Sequence, residues 1–466
     1  MSVALSGSRE RTPPLRSVVE AGKGAERAAS DSFAEELRRI EDRLSGAGLA
    51  WLRELRRQAL ESLQATGLPG LRDEDWKYTN VAAIARQAWT CALPGERSGP
   101  VPPALDLGPD AHALRFVDGH YQGPCAAAAP LPAGIDIQPL ARTLEHGRPD
   151  LRAHIERHAL RPAHPFVALN AVFLNDGVWI EVAAGVRVTA PVHLQFNTSQ
   201  CELPVARYPR VYVHLAQGAE LTLVESYTGA AGARALCCPL TEVLAGPGAR
   251  LDHYVVQQGG AEDYHVGSLL VRQLRDSSVR VHSVSLGGAL ARHDIHVELA
   301  EAGASLILNG LYVGAGRHHI DYHTRIDHLA EHTDSEERFK GVLNGYARGV
   351  FNGKVIVHPA AQKTRARQSN HNLLLSEHAE ADTKPELQIH ADDVQCSHGA
   401  TVGQLDETAV YYLRSRGIDL TLARAMLTYA FAADVVDGVR VDALQRYLGD
   451  QIGGRLPALG AAGRGP

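Results

Sequence analysis

Aromatic side chains are scarce in this chain of 466 residues: Phe, Trp and Tyr make up 6% of it, with only 8 phenylalanines. That is too little for a surface that stacks sugars or bases along its length. Cysteine is scarce too. The six residues at positions 91, 125, 201, 237, 238 and 396 are too few and too scattered for a disulfide framework. No basic run or domain-sized basic excess is present and the net charge is -6, which argues against a nucleic-acid binder. No stretch approaches the roughly 18 apolar residues that a membrane span requires. The first 30 residues are polar and rich in Gly and Arg, without the apolar core of a secretory signal, so the expected location is the cytoplasm. Catalytic signatures are missing as well. There is no G-x-x-x-x-G-K-S/T, no G-x-S-x-G, no H-E-x-x-H and no G-x-G-x-x-G. A long chain without a nucleotide or hydrolase signature points to action by assembly with other chains.

What is present falls into three parts. Beyond a tail over 1–30 with disorder-prone composition, Ser32 and Glu35 have capping-box spacing, and Phe33, Leu37, Ile40 and Leu44 form an apolar stripe at helical spacing. A second stripe, Leu52, Leu55, Ala59 and Leu63, closes at Gly67 and Pro69, so a helical hairpin is expected within 31–95. The loop "GLPGLRDEDWKYTNV" follows with bulky Trp76 and Tyr78, and 96–164 reads as a Pro/Gly-rich linker with a small mixed segment.

From 165 to 403 the period changes to two, in short runs such as "VWIEV", "RVYVHL" and "SLILNGLYV". A small-x-x-apolar pattern recurs at Gly185, Gly218, Gly248, Ser278 and Gly303, in steps of 33, 30, 30 and 25 residues. A strand-turn unit repeated in this way predicts a stacked β-solenoid, each rung burying itself against the next. A β-sandwich would also alternate but gives no reason for the fixed small residue. Helices return over 404–452, with Asp406 and Asp419 as caps, Gly417 as a stop, and apolar faces of Leu420, Ala423, Leu427 and Phe431, then Leu444, Leu448 and Ile452. A flexible, Gly-rich tail is expected over 453–466. The fold class is mainly β: a solenoid between two helical regions.

The 23 histidines crowd into the second half, many of them between 282 and 398. Cys396 and His398, two apart, would share a strand face and offer a thiolate and an imidazole to a metal. They do not complete a tetrahedral site, and a buried Cys beside a satisfied His at the end of a sheet is the plain alternative. In "RHHIDYHTRIDHLAEH" the residues Asp321, His323, Arg325 and Asp327 share one face; a metal site, an inter-subunit surface or a cross-rung salt-bridge ladder would each use them. Gln368, Asn370 and Asn372 suggest an amide ladder along the solenoid, and the two Asn-Gly pairs in "NGYARGVFNGK" suggest turns.

The run from 339 to 418, above all "ADTKPEL" and "ADDVQCSHGATVGQLDETAVYYLRSRGI", resembles the C-terminal core of the SufB/SufD family of iron–sulfur cluster assembly proteins. It is closer to the SufD-like branch than to SufB. "DEDWKYTNV", "FVALNAVFLNDGVWIEVAAGV" and "HHIDYHTRIDH" extend the resemblance over most of 30–440. The resemblance implies a right-handed parallel β-helix between helical ends. It also implies a non-ATPase scaffold that pairs with a SufB-like subunit through β-helix edges and docks a SufC-like ABC ATPase through its C-terminal helices. It implies that His398, with Cys396 beside it, acts at the SufB interface as a candidate ligand to iron or a transient cluster. Leu420, Leu427, Phe431, Leu444 and Leu448 become candidate ATPase-docking residues, and His323, Arg325 and Asp327 interface candidates. Some such complexes also hold reduced flavin (FADH2); ATP would enter only through the partner ATPase, sulfur only through a donor acting on the complex. A homodimer is one state open to the chain without partners, and the sequence does not choose it over a monomer. Competing with this scaffold reading are a cytosolic β-helix metalloenzyme built on the histidines of 317–332 and a carbohydrate-active β-helix enzyme.

Overall fold

A computed structural model of the chain describes residues 30–93, 99–124, 131–146, 148, 151–153, 155, 164–200 and 202–461, the side chains of 146 and 456–461 excepted. Residues 1–29 of the predicted N-terminal tail, Cys125, Cys201 and residues 462–466 lie outside the described residues.

The predicted solenoid is present. Two sheets run side by side, of 12 and 10 strands, and from Leu240 onward successive strands alternate between them. Nearly all pairing is parallel and in register. On one sheet the ladder reads Glu220, Arg250, Ser278, Ser305, Asp334, Arg365, Gln395, one residue per rung. The turn before each of these rungs except the last takes a left-handed residue. Gly218, Gly248 and Gly303 supply it with φ of 65°, 66° and 77°. On the other rungs Asp276, His332 and Lys363 take the same conformation at 55°, 56° and 62° despite their side chains. The sequence repeat therefore places its fourth member two residues late, since Ser278 pairs with Arg250 and the counterpart of Gly248 is Asp276.

Inside the solenoid the scarce aromatics are concentrated into a column. Phe116, Phe196, Tyr227, His265, His293, Tyr322, Phe339 and Phe351 follow one another with ring centroids 4.7 to 5.0 Å apart. Rings packed at this spacing, some face to face and others tilted or edge-on, add to the apolar area each rung buries.

The helical regions cover opposite outer faces. In the N-terminal one, both predicted stripes are buried, and the core they form includes Trp179, Tyr212, Leu236 and Leu290 of the first sheet. Its first helix already runs at residue 30, so Ser32 lies inside the helix and does not cap it. The segment predicted as linker contributes strands: His112–Val117 extends the second sheet beside Val192–Thr198, and Ile135–Pro139 closes the first as an antiparallel edge against Gly177–Val182. At the other end, Glu407–Ser415 and Leu420–Val436 are capped by Asp406 and Asp419 as predicted. The last helix, Asp442–Ala461, continues well past 452, so the loose tail expected from 453 is helical as far as 461.

Of the two Asn-Gly pairs, Asn344-Gly345 makes a turn, with Gly345 at φ 69°. Asn352-Gly353 instead lies inside the strand Arg348–Val357. Gly353 is needed there for space, because a Cβ would come within 2.4 Å of the Gln368 amide nitrogen.

Candidate functional site

The two ends of the solenoid differ. At the start, antiparallel strands close both sheets. At the finish nothing does: Glu380–Ile389 pairs only with Arg348–Val357, and Gln395–Gly403 only with Arg365–Leu374, among the described residues. Each last strand thus presents a free edge of N–H and C=O groups, and Gln395–Gly403 is exposed along nearly its whole length. Ile389 and Val402, 44% and 46% exposed, add apolar contact area to that end.

Cys396 and His398 stand on this last rung. They share a face, as their spacing requires, and it is the inward one: Cys396 packs against the solenoid core above Ala366, and His398 stands above Gln368. Cys396 is half-buried, and burial pushes its thiol up from the ordinary value, opposed by a backbone hydrogen bond from Ala366. His398 is exposed. Among the described residues no group of three or more His, Cys, Asp or Glu is placed to hold a metal ion, so a full coordination sphere here would need ligands from outside the chain.

His323, Arg325 and Asp327 are elsewhere, on the outer face of the first sheet within His319–His328. Asp327 is buried, and although burial alone would raise its carboxyl, hydrogen bonds from His296, Arg325 and His358 hold it well below the usual carboxylate range. Arg325 chelates it from the same strand at 2.6 and 3.0 Å. Asp321, expected to face Arg325, is instead bonded at 2.9 Å by Arg292 of the neighbouring rung. The cross-rung ladder exists with different partners, and these residues do not meet Cys396 or His398.

The amides likewise do not form a ladder. Gln368, Asn370 and Asn372 point inward, where the rung below offers Glu337, Phe339 and Gly341 as Cα partners. They bond to Glu337, the Tyr312 hydroxyl and one another instead.

On the C-terminal helices, Leu444 and Leu448 are 0% and 1% exposed, packed with Val435, Val436 and the outer face of the second sheet. They are therefore not available to a partner. Phe431 is partly covered by Lys340, and Leu420 and Leu427 are half-buried. The residues that do face out are Tyr411, Tyr412, Leu422, Met426 and Tyr429. The Tyr-Tyr pair and the apolar residues around the whole of Leu420–Val436 were the available signal for them.

Two family descriptions together match most of this chain: the SufBD protein N-terminal region over residues 28–194, and the SUF system FeS cluster assembly, SufBD core domain over 196–431. The chain belongs to the SufBD family. It is 32% identical over 403 residues to the iron–sulfur cluster assembly protein SufD of Escherichia coli (strain K12), covering 86% of this chain and 92% of that one. A SufBD family protein of Synechocystis sp. is 32% identical over 414 residues, covering 86% and 90%. The SufD of Bacillus subtilis (strain 168) is 26% identical over 429 residues, covering 86% and 92%. The SufBD family placement read from the motifs stands, and with it the general role in iron–sulfur cluster assembly. No helix among the described residues is long and apolar enough to cross a membrane.

Proposed function

We propose that this chain is the non-ATPase scaffold subunit of a cytoplasmic Suf-type assembly complex, pairing through the open end of its solenoid with a SufB-like subunit. The observation that carries this is the uncapped last rung, which sets His398 and Cys396 side by side on an edge built for strand addition. A partner strand continuing the ladder covers the exposed rung and brings its own thiolates up to the imidazole. The iron or nascent cluster is then cargo held between two chains, with His398 as one ligand and Cys396 as a second candidate. The exposed apolar face of Tyr411, Tyr412, Leu422, Met426 and Tyr429 suits docking of a SufC-like ATPase, through which ATP would act. Flavin, if a complex carries it, and the sulfur donor would enter at the level of the assembly. The same open edge also suits a second copy of this chain when partners are absent.

Native mass spectrometry of this chain co-expressed with the SufB-like and SufC-like proteins of its source tests the reading. A complex with one copy of this chain and both partners is expected. A chain that stays alone or pairs only with itself overturns it.

A further inference from the structure

Three inward-facing positions stand above one another on the last rungs of the second sheet. Glu337 is the Cα partner of Gln368, and Gln368 that of His398. Neighbouring strands lie about 4.8 Å apart, so each side chain has the next as its neighbour. The first two are enclosed, at 1% and 3% exposure, while His398 lies open at the end of the solenoid. Gln368 donates from Nε2 to Glu337 Oε2 at 2.6 Å. That bond sets the amide's orientation: with its NH2 committed to the carboxyl group, Oε1 is left to accept. Oε1 is buried and accepts from nothing among the described residues. A buried acceptor left empty is uncommon and costly, and the group on the next rung carries a ring N–H. The site is also provided with room, since Gly353 leaves the space its side chain would otherwise take from Gln368.

We propose that Gln368 is the positioning residue of His398: the imidazole, which does not bond Oε1 in this structure, turns on its exposed strand to donate an N–H to it, which fixes one tautomer and directs the other nitrogen, with its lone pair, out to a metal ion at the interface, while Glu337 holds the amide in the orientation this requires. A neutral imidazole has one nitrogen to donate and one to coordinate, and the group that takes the N–H decides which is which. This rests on the reading of His398 as a ligand, but the positioning belongs to this chain alone and is measurable without a cluster.

The test is nitrogen-15 NMR of the histidine side chains in the full chain without partners, at a pH where the imidazoles are neutral. The His398 signals are assigned by their loss in His398→Ala. The wild type should show ring-nitrogen shifts of a single tautomer. Gln368→Met, similar in shape and without an acceptor, should show the mixture of an imidazole free in water. Should that variant fail to fold, Glu337→Gln, whose amide can meet Gln368 in either orientation, should move the shifts the same way. Ring-nitrogen shifts unchanged from wild type in the folded variant overturn the proposal. In the assembled complex, Gln368→Met should slow cluster formation about tenfold, as loss of a group orienting a metal ligand typically does. If the tautomer shifts while His398→Ala assembles clusters normally, the ligand reading falls and the positioning stands.

Discussion

Arg292 lies flat against Trp76, its guanidinium carbon 3.6 Å from the ring centroid. The same guanidinium gives Nη1 to the Asp75 carbonyl at 2.7 Å and to Asp321 at 2.9 Å, and Nε and Nη2 to Asp294 at 2.9 and 2.7 Å. One side chain, 1% exposed, thus joins the N-terminal loop to carboxylates of two rungs. Thr79 bonds Asp321 from the same loop, and Glu74 reaches Lys384 at 2.7 Å. Arg292→Met would leave Asp321 enclosed, and Asp294 partly so, without the guanidinium that binds both. The expected cost is about 3–5 kcal/mol, seen as a lower urea midpoint at unchanged slope. A midpoint equal to that of the wild type would show that the loop is held by something else.

Glu337 makes folding sensitive to pH. Burial raises its carboxyl from 4.5 to about 7, opposed by the hydrogen bond from Gln368. The folded chain therefore holds this proton more tightly than the unfolded one. The stabilisation is complete below 4.5, is lost as pH rises, and is gone by about 7. The loss is on the order of 3 kcal/mol. Glu337→Gln should remove that part of the slope and be the more stable protein at alkaline pH. Denaturation midpoints across this range decide it: parallel curves for variant and wild type refute the assignment.

Sequence periodicity showed the solenoid because Gly218, Gly248 and Gly303 mark their turns openly, whereas Asp276, His332 and Lys363 occupy the same left-handed position in disguise. That Cys396 and His398 share a face followed from strand geometry alone. That their face is inward and their rung the last one followed only from register, which depends on which strand lies next and on there being no strand beyond among the described residues. The Glu337–Gln368 contact links separate rungs, and no local pattern signals it. Arg325 misled for the same reason: its partner Asp327 was in the pattern, but Arg292, the partner of Asp321, lies a rung away.

His398 is exposed on a terminal strand, so His398→Ala should leave stability within about 0.5 kcal/mol of wild type. Cluster formation by the assembled complex should be abolished, because Cys396, the other candidate ligand on this edge, has its thiol pushed up by partial burial and does not replace the imidazole. Iron and sulfide content of the complex after reconstitution measures this. Wild-type cluster yield from the variant would remove His398 from the ligand set.

The C-terminal helices separate docking from folding, since their two apolar faces have different owners. Leu448 is enclosed with Val436, Ile452 and the second sheet, and Leu448→Ala should destabilise the chain by about 2–5 kcal/mol without altering partner affinity in the folded fraction. Met426 and Tyr429 face outward on the same helical unit, 45% and 39% exposed. Met426→Glu should leave thermal unfolding nearly unchanged and weaken ATPase binding tenfold or more, because a carboxylate desolvated in an apolar contact costs at least the roughly 1.4 kcal/mol that tenfold represents. Calorimetric titration of the ATPase into each variant distinguishes the faces. Equal binding by Met426→Glu and wild type would move the docking surface away from the exposed side of Leu420–Val436.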